Sequence, residues 1–224
     1  MLSAGGHDRP EAAAALATLC EAYWYPLYYY IRRRGYPQDE AQDLTQEYFA
    51  TLLEKAYLRV ADPARGRFRS FLLGSLNHFL ANEWRRQSAQ KRGGKRRPLP
   101  FDIESAESRY SREPAHNLTP ERAYERRWAI LLLEGVLSRL RGEYAAAGKA
   151  ALFEHLAPCL EGRQGAAYAE IARAVGLSEG AVKVAVHRLR RRCRDLLRAE
   201  VAQTVGDPAD LDEELRHLMD VAGE

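Results

Sequence analysis

The sequence predicts an all-α protein made of two small helical domains joined by a flexible linker. Apolar residues recur at every third or fourth position over most of the chain, which is the spacing of one helix face, and no segment alternates as a strand does. Between residues 96 and 118 this periodicity stops, and prolines, serines and mixed charges replace it. A chain of 224 residues is long enough to bury two separate helical cores.

The composition excludes several classes of protein. With 46% hydrophobic and 29% charged residues, the chain is typical of soluble domains, and no segment is apolar for long enough to insert into a membrane. Its three cysteines, Cys20, Cys159 and Cys193, are far apart and suggest neither a disulfide framework nor a metal-ligand pair. We therefore expect a cytoplasmic protein with no cofactor and no bound metal.

The first domain is predicted to span residues 1–95, and an acidic stripe marks its second long helix. Between residues 38 and 58 apolar residues recur at helical spacing. Four polar residues of this helix fall on one face, namely Asp43, Gln46, Glu47 and Glu54. Such a stripe suits a basic helical partner, although a solvated acidic face has the same pattern.

A third long helix is predicted between residues 68 and 90, and its surface is basic. Arginines neutralise phosphates, and polar side chains can hold unstacked bases. The residues offered to a nucleic acid here are Arg65, Arg67, Arg69, Asn77, His78, Asn82, Arg85, Arg86, Lys91 and Arg92. Three aromatic residues, Phe71, Phe79 and Trp84, lie among them, and at helical spacing such residues are more often core than base-stacking platforms.

The second domain is predicted over residues 119–203, after a linker at 96–118. Thr119 and Pro120 form a helix start, and residues 168–183 carry the pattern of two helices joined by a tight turn. In that turn Gly176 can adopt the left-handed conformation, Leu177 is expected to fill the corner, and Ser178 can cap the second helix. This pattern predicts a helix-turn-helix.

The second helix of this pair has an apolar stripe and an outward face that is mostly basic. A recognition helix reads base edges with its first residues and contacts phosphates with later ones. The predicted base contacts are Ser178, Glu179, Lys183, Val184 and His187, and the predicted phosphate contacts are Arg188, Arg190 and Arg191. The alternative is a solvated charged helix without a ligand.

Several motifs together resemble the extracytoplasmic-function (ECF) sigma factors of the sigma-70 family of bacterial RNA polymerase. The segments that carry the resemblance are residues 43–49, 68–73 and 82–86, which resemble region 2, and the helix-turn-helix, which resembles region 4. The resemblance implies docking to the β′ clamp coiled coil of core RNA polymerase, with Leu44, Gln46 and Glu47 at positions of the docking motif. It also implies that the basic third helix faces the minus-ten promoter element and that the helix-turn-helix faces the minus-thirty-five element.

The chain departs from the family pattern in two places. The entry to the helix-turn-helix, from Arg141 to Gly165, is longer than usual, so contact with the β flap is left open. Residues 204–224 form an acidic tail whose apolar residues fit a short amphipathic helix. Two placements are open: the tail folds onto the recognition helix and weakens DNA binding, or it packs on the second domain.

The predicted function is that of a sigma factor, which carries polymerase to promoter DNA and helps to melt it. A conventional operator-binding repressor or activator would share the helix-turn-helix, but it usually needs a dimer. An RNA-binding or enzyme-associated helical module is a third reading, although no catalytic motif accompanies the acids at Asp39, Glu40 and Asp43. We expect no catalytic site, and an anti-sigma factor or a regulatory kinase is left open as a partner.

Overall fold

The computed structural model describes residues 23–54, 67–89, 103–112, 117–160 and 168–223. Within these ranges all regular structure is helical and no strand occurs, which confirms the all-α prediction. The α-helices are α1 over residues 23–33, α2 (Gln38–Glu54), α3 (Phe68–Ala89), α4 (Ile103–Arg112), α5 (Pro120–Ala146), α6 (Ala150–Leu156), α7 (Tyr168–Val175), α8 (Glu179–Ala202) and α9 (Leu211–Ala222). Short 3₁₀ helices lie at Ala157–Leu160 and Pro208–Asp210. No helix in the described ranges is both long and apolar enough to cross a bilayer.

The helices group into two compact units whose limits differ from the predicted domains. The first unit includes residues up to 130 and again from 201 onward, and the second consists of residues 131–200. The start of α5 therefore belongs to the first unit rather than to the second. So does the predicted acidic tail, which contains α9.

Helix α4 lies inside the range that the sequence marks as a linker. It packs on α1, where the Arg32 guanidinium pairs with the Glu107 carboxylate at 2.8 Å and also stacks over the Tyr110 ring. Among residues 106–112, whose side chains are described, Ala106 is buried. Within its ten residues only Ile103, Ala106 and Tyr110 fall on an apolar stripe, and so short a stripe is hard to recognise among the prolines, serines and charges that surround it in the sequence.

Helix α1 is buried on every side over its central residues. The side chains from Tyr25 to Ile31 are all buried, as expected of a helix surrounded by other elements. Its tyrosine hydroxyl groups connect it to neighbouring helices: Tyr23 accepts a hydrogen bond from Trp128 of α5 at 3.2 Å, and Tyr28 donates one to Glu107 of α4. The first unit therefore combines aromatic packing with specific polar contacts.

The second unit has an aliphatic core and keeps its ion pairs on the surface. Its core residues are Val136, Leu140, Phe153, Leu156, Ile171, Val182, Val186, Leu189 and Leu196. The charged pairs of this unit are exposed, for example Arg192 with Glu143 at 2.6 Å and Arg141 with Glu154 at 3.0 Å.

Candidate nucleic-acid interface

The C-terminal part of α3 presents a large aromatic side chain among basic and polar ones. Trp84 is 70% exposed, although it lies on a helix with a well-buried face. Arg85, Arg86, His78 and Asn82 are also exposed on this part of the helix. By contrast, Phe71 and Phe79 are half-buried, and Phe79 packs edge-on against Tyr48 at 5.7 Å between ring centroids.

Asn77, which the sequence groups with these residues, takes part in a contact inside the first unit. Its Oδ1 accepts hydrogen bonds from the Tyr30 hydroxyl and from Arg34 Nη1, both at 2.8 Å. Glu121 Oε1 of α5 lies 3.0 Å from the same hydroxyl, so the single Tyr30 proton is shared between Asn77 and Glu121. Asn77 therefore connects α1 and α3, and its carbonyl oxygen is engaged within the protein.

The start of α3 differs sharply from its other end, because its arginines are covered by carboxylates. Arg69 is 3% exposed and donates two hydrogen bonds to Glu214 of α9, at 2.7 and 3.1 Å, and one to Glu125 of α5, at 2.6 Å. Arg67 pairs with Glu214 at 2.8 Å and with Glu213 at 2.5 Å. Burial alone would lower the pKa of Arg69, but the carboxylates of Glu214 and Glu125 outweigh it and raise that pKa.

This arrangement corrects two predictions. The sequence assigns Arg69 to DNA contact, yet its guanidinium is enclosed by carboxylates and by the Trp128 ring, 5.3 Å away. The sequence also places the tail on the recognition helix or on the second domain, whereas α9 buries Leu218 and Val221 in the first unit. The only sequence signal for this contact is the pair of adjacent acids, Glu213 and Glu214, which could complement Arg67 and Arg69. The positions of charges along a chain do not show which distant helices meet, so the contact could not be predicted.

The acidic face of α2 is only partly available. Asp43 is exposed, whereas Gln46 and Glu47 are half-buried, and Glu47 lies 3.7 Å from Arg86 of α3. Leu44 is 4% exposed and belongs to the core, so its role in this structure is packing. The side chain of Glu54 lies outside the described residues, as do Arg65, Lys91 and Arg92.

The turn between α7 and α8 follows the predicted backbone chemistry with one exception. Gly176 has φ +67°, which confirms its left-handed conformation, and the Ser178 hydroxyl accepts a hydrogen bond from the Ala181 amide at 3.2 Å, as an N-cap does. Leu177 was expected to fill the corner, but it is 42% exposed, so that prediction is wrong. The buried residues on the two sides of the turn are Ile171 and Ala172 of α7 and Val182 of α8.

The outer face of α8 is basic and exposed. The exposed residues of the predicted contact set are Ser178, Glu179, Lys183, Val184, His187, Arg188, Arg190 and Arg191. Arg190 also donates to the Cys159 carbonyl at 2.9 Å, which fixes its direction. Cys193 is half-buried, and burial raises the pKa of its thiol, as suits a packing role.

The described residues contain no group of three or more histidine, cysteine or acidic side chains that could hold a metal ion. What α3 and α8 offer instead is guanidinium groups, amides and an exposed indole ring. These groups bind phosphates and bases.

Comparison with known proteins gives one match. Residues 19–90, which contain the described parts of α1, α2 and α3, match the family model described as Sigma-70 region 2. Neither a curated protein nor a solved structure matches the chain. Region 2 acts with core RNA polymerase and promoter DNA, and the match therefore supports a sigma factor of the sigma-70 family with a role in transcription initiation.

Proposed function

We propose that this protein is a sigma factor of the ECF class, which binds core RNA polymerase, directs it to specific promoters and helps to melt the minus-ten element. The observation that carries the proposal is the coincidence of the region 2 match with an exposed tryptophan among arginines on α3. An indole ring that is 70% exposed can be reached by an unpaired base, which would stack on its accessible surface.

Within this proposal Trp84 is the stacking platform, and Arg85 and Arg86 neutralise the backbone beside it. Phe71 and Phe79 are not assigned this role, because both are half-buried and engaged with other aromatic rings. Stacking of one base on an aromatic ring contributes about 1–3 kcal/mol. That contribution is available only after the base has left the duplex, so it favours the melted state over the closed one.

The second unit would read the minus-thirty-five element with a helix-turn-helix made of α7 and α8. Ser178, Glu179, Lys183, Val184 and His187 are assigned to base edges, since they are exposed on the first turns of α8. Arg188, Arg190 and Arg191 follow and are assigned to phosphates. The capped start of α8 and the left-handed Gly176 support this assignment.

Docking to polymerase is assigned to the polar face of α2, of which Asp43 is exposed and Gln46 and Glu47 are half-buried. Asp43, Gln46 and Glu47 would face the β′ clamp coiled coil, and Leu44 would hold the helix in place from the core. On docking, Glu47 would give up its contact with Arg86, which is 3.7 Å away, and would pair with a group on the polymerase instead. At this distance the ion pair is long, and its Arg86 side chain is 63% exposed, so breaking it costs little free energy.

The first experiment is gel filtration of the purified protein with core RNA polymerase, followed by run-off transcription from genomic promoter fragments of its host. Coelution with promoter-specific transcripts is the expected result. Failure to coelute, together with tight specific binding to duplex DNA without polymerase, would favour an operator-binding repressor or activator.

The role of Trp84 is tested by Trp84→Ala in the same system. We expect promoter complexes that form but melt at least about tenfold less, as reported by permanganate reactivity of the minus-ten thymines. Trp84→Phe should retain most melting, because a phenyl ring still stacks. Val184→Ala is the matched control on α8, and it should weaken promoter binding without a specific loss of melting.

A further inference from the structure

The start of α3 has two arginines next to each other in space that differ in how firmly they are held. Arg69 is 3% exposed and is enclosed by Glu214, Glu125 and the Trp128 ring. Arg67 is 25% exposed, and its second partner, Glu213, is 62% exposed. Arg69 is therefore a fixed structural group, whereas the pair of Arg67 and Glu213 lies at the surface, where another anion can compete for the guanidinium.

The chemistry of this pair points to the competing anion. A guanidinium binds carboxylate and phosphate oxygens with the same planar donor geometry. Arg67 lies one residue before α3, and about 25 Å along that helix lies the exposed Trp84, since each helical residue rises about 1.5 Å. An extended nucleic-acid backbone that contacts the Trp84 end of α3 can therefore span the distance to Arg67.

We propose that Arg67 is a phosphate-binding site that α9 masks with the carboxylate of Glu213. In the free chain this carboxylate is paired with the Arg67 guanidinium. A backbone phosphate binds to Arg67 only when the Glu213 side chain moves away from it. This inference rests on the proposed DNA-binding function of the first unit and adds to it an internal competitor for the DNA. Glu214 stays in place throughout, because it is fully buried and also holds Arg69.

The test compares Glu213→Gln with Asp220→Asn in the full-length chain. Asp220 is exposed on α9, two turns from Glu213 and on the same face, so both variants lose one negative charge from one helix. Binding to a fluorescently labelled promoter fragment is measured by anisotropy over a series of salt concentrations. We expect E213Q to bind several-fold more tightly, with a plot of log affinity against log salt steeper by about one, as one additional phosphate contact gives. D220N should leave that slope unchanged.

Removal of the arginine tests the mechanism directly. Arg67→Gln should change DNA affinity little in the wild-type background, where Arg67 is masked, and should cancel the gain in the E213Q background. The proposal would be overturned if E213Q and D220N had the same DNA affinity and the same salt dependence. It would also be overturned if Arg67→Gln reduced DNA affinity equally in the wild-type and E213Q backgrounds. If E213Q lowers the melting temperature, Glu213→Lys against Asp220→Lys repeats the comparison with reversed charge. Failure of the sigma assignment itself is visible separately, as absence of polymerase coelution by the wild-type chain.

Discussion

The two units of this protein differ in where their polar and charged side chains lie. All the described side chains that are polar or charged and buried lie in the first unit, and they are Thr45, Arg69, Glu83, Thr204 and Glu214. In the second unit the ion pairs are at the surface, where Arg141 and Glu154 are 62% and 58% exposed. The first unit therefore depends on specific partners, whereas the second depends on an aliphatic core and on the backbone conformation of its turn.

The largest expected loss of stability follows from removal of an ion-pair partner inside the first unit. Glu214→Gln leaves Arg69 buried with less compensation for its charge, and breaking such a pair costs about 3–5 kcal/mol. Urea unfolding followed by tryptophan fluorescence measures this, because Trp24, Trp84 and Trp128 all lie in the first unit.

The control for Glu214→Gln is Glu154→Gln, which breaks an exposed pair of the second unit. An exposed pair contributes less than about 1 kcal/mol, so circular dichroism should detect little change in unfolding. If the two variants lowered stability equally, the contrast between the units would be wrong.

The second prediction concerns alkaline pH and the tyrosines of the first unit. Burial is the main reason that the pKa of Tyr23 is raised from 10.0 to about 12. Because the folded pKa lies above the unfolded one, this tyrosine contributes stability that is present below pH 10 and is lost as pH rises from 10 towards 12. The loss is about 2 kcal/mol, and unfolding monitored by tyrosinate absorbance and tryptophan fluorescence measures it.

Tyr23→Phe should flatten that alkaline decline, at the cost of the hydrogen bond accepted from Trp128. A decline that is unchanged in this variant would mean that other groups cause it, such as Tyr124, whose pKa burial also raises.

A third prediction concerns the turn of the second unit. Gly176→Ala should lower the stability of this unit by about 1–2 kcal/mol, because φ is +67° and an alanine there is strained. No atom of the described residues would lie within 4 Å of the added Cβ, so backbone strain is the expected cause of the loss. Circular dichroism measures the change in unfolding, and an unchanged or raised stability would contradict the assignment.

The smallest expected change in stability is at Gly180, four residues after Gly176, and it has the opposite sign. Gly180 lies in the first turn of α8 with ordinary helical backbone, and an added Cβ would approach only the Ser178 hydroxyl, at 4.0 Å. Gly180→Ala should therefore raise stability by about 0.5 kcal/mol, because alanine loses less conformational freedom in a helix. A loss of stability in the same unfolding experiment would contradict this expectation and would indicate that the added methyl group disturbs the Ser178 cap.

The sequence predicted those parts of the fold that depend on local patterns. The all-α class, the left-handed Gly176, the Ser178 cap and the apolar stripe of α8 each follow from spacing or backbone chemistry over a few residues. The location of Trp84 on an exposed face was left open by the sequence, because helical spacing alone does not distinguish core from surface aromatics.

Contacts between distant segments could not be predicted in this way. Arg69 looks like the other arginines near α3 until Glu214, 145 residues later in the chain, is placed against it. The sequence marks α4 as linker because its apolar stripe is short, and its attachment to α1 uses the Arg32–Glu107 pair and the Tyr29–Tyr110 ring contact, which join segments about 75 residues apart. In both cases the paired charges are far apart in the sequence, and their pairing becomes visible only when the fold brings the two segments together.

The return of residues 201–223 to the first unit has a consequence for biosynthesis. Arg69 is translated long before Glu214, so the first unit emerges from the ribosome with a guanidinium destined for burial and without its main partner. A product that ends before α9 would leave that charge uncompensated and the site of Leu218 and Val221 unfilled. Proteases that remove unfolded chains would then act on products that end before α9 in preference to products that include it, so the position of α9 makes accumulation of the protein conditional on translation through this helix.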